Sequence, residues 1–310
     1  MLNGDTSARA APETKKRIVD AAAALGYVAN AAARQLRESR TGLLGLVVHD
    51  LSSPIYVEVL AGARAEAEKN GYFLLLGDAD ELMTNPATFR ALVEARRVDG
   101  ILIQAGHSDF DKRIGDVAAH VPTVVFNAPM HDSAVDVSGV YADEVGAARL
   151  LTEHLLVRGH RRIGFLSGPR DSSTSHLRLA GFRAALDEAG VDDDAFVFYG
   201  DWTAATGAAG VHEALAQSRP PTAVIAGNTL IGLGALSEAT SLAVKVPDDL
   251  AVAAIHDAWF ADYLAPTLTT VALPLRELGA TAVRTLLAGG TPSDVVVGTP
   301  APVVVVRAST

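Results

Sequence analysis

The stretch "LLGLVVHDLSSPIYVEVLAGARAEAEKNGYFLLL", residues 43–76, decides the fold. It opens on a run with no polar side chain (43–48) and closes on an apolar run (72–76) whose one polar side-chain atom is the Tyr72 hydroxyl. Between them lies a helical pattern ended by Gly71, a residue suited to a left-handed C-cap. Runs that do not alternate polar with apolar residues are buried on both faces, which predicts parallel strands covered by helices. The unit recurs along the chain. Strand-like runs follow at "GILIQ" (100–104), "TVVF" (123–126), "IGFL" (163–166), "FVFY" (196–199), "AVIA" (223–226) and "LAVAAI" (250–255), and a second helical pattern, "LRLAGFRAALDEAG", occupies 177–190. Two sets of four strands predict two doubly wound α/β lobes, and 310 residues is long enough for two domains. Beyond them "LTTVALPLRELGATAVRTLLAGG" (268–290) adds a strand and a helix, and "VVVGTPAPVVVVR" (295–307) adds a last pair of strands. Such additions imply that the chain recrosses between the lobes several times, making a hinge rather than a flexible tether.

Composition narrows the class. Hydrophobic residues make up 49% and charged residues 20%. No run approaches the ~20 apolar residues that span a bilayer, and no signal-peptide pattern opens the chain, so a cytoplasmic protein without membrane contact is expected. The absence of cysteine removes disulfides, thiolate metal sites and a cysteine nucleophile. The net charge of −10 is unevenly spread. Residues 1–42 carry seven Lys and Arg against four acids, 7 − 4 = +3, leaving 19 − 32 = −13 for the rest. A basic arm on an acidic body points to a polyanion partner confined to one end.

In open α/β sheets ligands sit beyond the carboxyl ends of the strands. Polar residues stand there after nearly every run: Asp50, Asp78, Gln104 and Asn127, then the turn 167–169, Asp201 with Trp202, Asn228, and His256 with Asp257. Singly, each fits a helix cap or turn. Together they suit a small polyhydroxylated ligand: carboxylates, amides and an arginine such as Arg178 take vicinal hydroxyls, and the Trp202 indole can stack on a sugar's C–H face. Enzyme signatures are thin. "GLGALS" (232–237) imitates half of a dinucleotide loop but falls inside a predicted helix, and GxxxxGK[ST], GxSxG and HExxH are absent. His154 and His160, six residues apart, do not share a helical face. Neither catalysis nor a metal or other cofactor is expected.

The sequence resembles the lactose and galactose repressor family of bacterial transcriptional regulators. The resemblance rests on "LNGD" (2–5), "PETKKRIVDAAAALGYVANAAARQLRESRTGLLGLVVHDLSSP" (12–54), "RVDGILI" (97–103), "RGHRRIGFLSGP" (158–169), "RLAGFRAAL" (178–186), "GDWTAATG" (200–207), "PTAVIAGNTLIGLGAL" (221–236), "VPDDLAV" (246–252) and "LTTVALPLRELG" (268–279). It implies a DNA-binding regulator, in all expectation a repressor, with a two-lobed core of the type shared with periplasmic sugar-binding proteins. The implied division is a partial helix-turn-helix head (1–28), a hinge helix (29–41), a first lobe (42–142 and 274–291) and a second lobe (143–273 and 292–310). A homodimer or tetramer and operator DNA are the implied macromolecular partners.

Under this resemblance "NAAARQL" is similar to the hinge helix that inserts a leucine into the operator minor groove. Leu36 stands at that position, with Asn30, Ala33, Arg34 and Arg37 beside the DNA. Effector contacts are implied at Asp50, Ile55, Tyr56, Gln104, Asn127, Arg178, Trp202, Asn228 and His256 or Asp257. Two features depart from the family. "AIHDA" places His256 where most members have the first of two aspartates. The family's first two helices would precede "LNGD", where only Met1 stands, so the chain as written is expected to dimerise without recognising an operator. The competing reading is a transport-type sugar-binding protein, which shares the core but has no use for a basic hinge.

Overall fold

A computed structural model describes residues 11–24, 40–95, 97–106, 108–130, 135–191 and 195–310. The five residues assigned above to DNA, Asn30, Ala33, Arg34, Leu36 and Arg37, lie outside them. In chain order the strands are β1 (Leu43–Val48), β2 (Phe73–Asp78), β3 (Gly100–Gln104), β4 (Thr123–Asn127), β5 (Ser138–Ala142), β6 (Ile163–Ser167), β7 (Val197–Tyr199), β8 (Ala223–Ala226), β9 (Ala251–Ile255), β10 (Thr269–Ala272), β11 (Asp294–Val297) and β12 (Val303–Val305). The principal helices are α1 (Pro12–Ala24), α2 (Ile55–Lys69), α3 (Ser108–Ala118), α4 (Glu144–Val157), α5 (Ser173–Glu188), α6 (Ala204–Leu215), α7 (Thr229–Ser241) and α8 (Leu275–Ala288).

The strands form two six-stranded sheets of matching order, β11-β5-β4-β3-β1-β2 and β12-β10-β9-β8-β6-β7. Neighbours are parallel except β10 with β12. The central apolar runs behave as double-sided burial requires, whereas β2, which has a neighbour on one side only, leaves Phe73, Leu75 and Leu76 exposed against that expectation. Leu44, Leu46 and Val48 of β1 face α2 and α8 in one core, with Val59, Ala63, Leu278 and Val283. Val47 turns to the other face and joins Ile101, Ile103 and Phe110, Ile114 and Val117 of α3. In the second lobe Phe165 packs with Leu151, Leu155 and Phe182, while Leu166 and Val224 pack with Ile231 and Ala235. Each fully buried Leu, Val, Ile or Phe contributes roughly 1.5–3 kcal/mol of transfer free energy, so both faces of both sheets hold the lobes together. Helices α2 and α8 approach until their backbones nearly touch, and a Cβ on Gly62 or Gly279 would strike the Arg276 or Val59 carbonyl.

The chain passes between the lobes three times. It crosses at Asp143 between β5 and α4, at Leu273–Pro274 between β10 and α8, and over 298–302 between β11 and β12. Leu273 packs against the cores of both lobes. One expected boundary is corrected: Asp294–Val297 belongs to the first sheet, not the second, pairing in parallel register with Gly139–Ala142. Without it β5 would be an open edge, so the final apolar stretch divides at 298–302 and closes one edge of each sheet.

Candidate functional site

The carboxyl ends of the strands in both sheets converge on one cleft between the lobes, with about 630 Å³ of open space. The first lobe contributes His49, Asp50, Ile55, Tyr56, Gln104 and Asn127. The second contributes Thr174, Arg178, Trp202, Asn228, Thr229 and His256. Nine of the ten residues expected at an effector site therefore lie together here. Asp257 does not. Its carboxylate accepts from Thr270 Oγ1 at 2.7 Å and pairs with Arg307 Nη1 at 2.9 Å, because the residue after His256 turns to the opposite side of the chain.

Local geometry fixes what each group presents. Gln104 Oε1 accepts from the His49 backbone N–H at 3.1 Å, which leaves its NH2 directed elsewhere. Asp50 Oδ1 accepts from Ser52 N and Oγ at 2.8 and 2.6 Å, pinning the turn that starts α2. Burial, with a further push from the Asp50 charge, raises the Tyr56 phenol far above its ordinary value, so it remains a neutral hydroxyl. Asn127 (φ 79°) and His256 (φ 68°) close β4 and β9, which hold equivalent places in the two sheets. Both adopt the left-handed backbone region, uncommon for residues other than glycine and tolerated best by Asn. Asn228 is largely occupied with structure: its Oδ1 accepts from Ile231 N at 2.8 Å, capping α7, and its Nδ2 donates to the Trp202 carbonyl at 3.1 Å. The Trp202 indole lies against the backbone of Gly168 and Gly227, where any side chain on Gly168 would overlap it.

Arg178 is the electrostatic centre. The guanidinium is buried and meets Glu144 in a fork, Nε to Oε2 at 2.7 Å and Nη2 to Oε1 at 3.0 Å. Nη1 donates to the Gly227 carbonyl at 2.5 Å, and Nη2 also donates to His256 Nε2 at 2.8 Å. The Arg178 Cζ lies 5.3 Å from the Trp202 ring centre, within cation–π range. A guanidinium only donates, so His256 Nε2 is the lone-pair nitrogen and the imidazole is neutral with its proton on Nδ1. Burial and the Arg178 charge both lower the histidine's pKa, which keeps it so. Burial alone would raise the Glu144 carboxyl, but the Arg178 charge overrides it and holds the group well below the usual carboxylate range.

Sequence reasoning missed Glu144, His49, Thr174 and Thr229. His49 and Thr229 sit one residue from positions that were singled out. Glu144 had no such signal, since after Asp143, which caps α4, an acidic residue in the first turn is ordinary helix chemistry.

A family model for a periplasmic binding protein-like domain matches residues 152–310. The HTH-type transcriptional repressor CytR of Escherichia coli (strain K12) is 30% identical over 290 residues, 93% of this chain and 83% of that protein. A crystal structure of a LacI family transcriptional regulator from Mycobacterium smegmatis superposes with a TM-score of 0.77 at 32% identity, over 86% of this chain and 98% of that one. The transcriptional regulator CelR in its cellobiose complex gives 0.78 at 28% identity, over 100% and 94%. The fold, the cleft at the strand ends and the similarity along most of the chain agree: this protein belongs to the lactose and galactose repressor family, as an effector-responsive DNA-binding transcriptional regulator and not an enzyme.

Proposed function

We propose that the effector is a carbohydrate held between the lobes, and that its binding controls operator affinity through the hinge segment 29–41. The observation that carries this reading is the composition of the cleft: one indole wall, Trp202, faces hydroxyl-binding groups from both lobes, namely Asp50, Gln104, Asn127, Arg178 and His256. Carbohydrate recognition needs that combination of a flat apolar platform and paired polar groups. The complex of CelR with cellobiose, a related regulator, is consistent with it. Leu36 is the proposed minor-groove wedge, with Asn30 and Ala33 beside the DNA and Arg34 and Arg37 at its phosphates.

The working form is proposed to be a cytoplasmic homodimer. Among the described residues no helix is long and apolar enough to cross a membrane. The outer edge of the first lobe carries exposed Val57, Phe73, Leu75 and Leu76 on α2 and the edge strand β2, an apolar strip that a second copy would cover. Relatives that are repressors favour this reading over a transport-type binding protein.

The test is a thermal-shift screen of mono- and disaccharides beside nucleosides and nucleobases. A ligand at about 100 times its Kd is expected to add about 2.7 kcal/mol of stability. Calorimetry on the Gln104→Leu protein then localises the site. Stabilisation by a nucleoside with no sugar active would refute the carbohydrate assignment, and unchanged affinity in Gln104→Leu would refute the cleft.

A further inference from the structure

We infer that Glu144 is a specificity-determining residue that commits the cleft to uncharged ligands by engaging Arg178 before any ligand arrives. This rests on the assignment of the cleft as the effector site and narrows the chemistry it takes.

The argument is a count of donors. A guanidinium has five N–H groups in a fixed plane. Glu144 takes two, Nε and one of Nη2, and His256 takes the other Nη2 hydrogen. The Gly227 carbonyl takes one from Nη1. A single Nη1 hydrogen is left for a ligand. Two parallel charge-assisted bonds, the arrangement by which arginine holds a carboxylate or phosphate, are therefore unavailable. Nor can the pair readily open, because both side chains are buried and an unpaired carboxylate there would be costly.

The charge count agrees. The formal charges around the cleft are Asp50 and Glu144 against Arg178, and His256 is neutral because its Nε2 accepts from the arginine. The amino ends of α2, α5 and α7 contribute partial positive charge, but Asn228 already caps α7 with its own side chain. Among the described residues the cleft thus offers an acidic wall at Asp50, single donors and acceptors elsewhere, and no Lys or Arg besides the engaged Arg178. A neutral ligand rich in hydroxyl or N–H donors fits; the same scaffold bearing a phosphate or carboxylate does not.

Two measurements test this. In the unmodified protein, affinities are compared for matched sets: glucose with glucose 6-phosphate and glucuronate, cellobiose with cellobionate, and adenosine and cytidine with their 5′-monophosphates. The neutral member of any set that binds is expected to bind at least about tenfold tighter. A neutral nucleoside as the best ligand would sink the carbohydrate assignment while supporting this inference, whereas an anionic best ligand would overturn it. The second measurement needs no known ligand. In a Trp259→Phe background, which leaves Trp202 as the only tryptophan, inorganic phosphate is titrated against protein with and without Glu144→Gln. Releasing the Arg178 fork is expected to tighten phosphate binding by about tenfold or more, seen as Trp202 fluorescence change. Equal phosphate affinity in the two folded proteins would overturn the assignment. If Glu144→Gln does not fold, the matched sets alone decide.

Discussion

Replacing Arg178 by Met keeps most of the aliphatic volume and removes the charge, so the consequence falls on Glu144. That carboxylate is buried with its guanidinium partner gone, and it has two ways to respond. Remaining ionised costs about 3–5 kcal/mol, the penalty typical of a broken buried pair. Taking up a proton near pH 7 from an ordinary value of 4.5 costs about 3.4 kcal/mol, at about 1.36 kcal/mol per pH unit. The cheaper route sets the expectation at about 3–4 kcal/mol of lost stability near neutrality. Near pH 5 the protonation cost falls to about 0.7 kcal/mol, so the deficit of the variant is expected to shrink by more than half. The wild-type baseline does not move with this group over that range. Its folded pKa is depressed below the ordinary 4.5, so its contribution is complete above about 4.5 and is lost only as pH falls from there. Guanidinium unfolding followed by circular dichroism at the two pH values gives both numbers by linear extrapolation. The double variant Arg178→Met with Glu144→Gln is expected to recover part of the neutral-pH loss. A deficit below about 1 kcal/mol near pH 7, or one of equal size at both pH values, would refute the claim that Glu144 depends on Arg178 for its charge.

Two further outcomes are expected. His256 is depressed by burial and by Arg178, so the unfolded chain binds its proton first; the stability it contributes is complete above about 6.5 and falls as pH drops below that. His256→Asn tolerates the left-handed backbone and removes this slope, and the difference between the two unfolding profiles below about pH 6.5 isolates it from His154 and His160, which titrate in both proteins; parallel profiles would count against it. Gly279→Ala forces α8 off the Val59 carbonyl of α2 and is expected to cost about 2–3 kcal/mol in thermal unfolding, an unchanged midpoint meaning that the two helices separate freely.

The two lobes and the cleft were readable because burial on both faces leaves strands without alternation, and polar residues at their carboxyl ends then stand out. Asp50, Gln104, Asn127 and His256 were found that way. The choice between His256 and Asp257 was not readable, since consecutive residues after a strand face opposite ways and only the partner, Arg307, shows which way Asp257 turns. Nor was the destination of β11. "VVV" at 295–297 and "VVVV" at 303–306 have the same chemistry, and which sheet each completes depends on which edge lacks a neighbour. Glu144 and Arg178, 34 residues apart, are brought together by packing of α4 on α5, a contact that no local pattern encodes.

The triple crossing also bears on how the protein is made. The first lobe has five of its strands by residue 142, yet α8 and β11, at 275–297, complete one face and one edge of it. The second lobe waits longer still, for β12 and for Ser309, whose hydroxyl donates to the Val252 carbonyl at 2.6 Å. A chain emerging from the ribosome at about 5–20 residues per second therefore holds an unfinished first lobe, with part of its apolar face open, through synthesis of the whole second one. Both lobes are completed by the same segment, residues 275–310, and a ribosome stalled within the second lobe's strands carries two incomplete lobes rather than one finished and one missing.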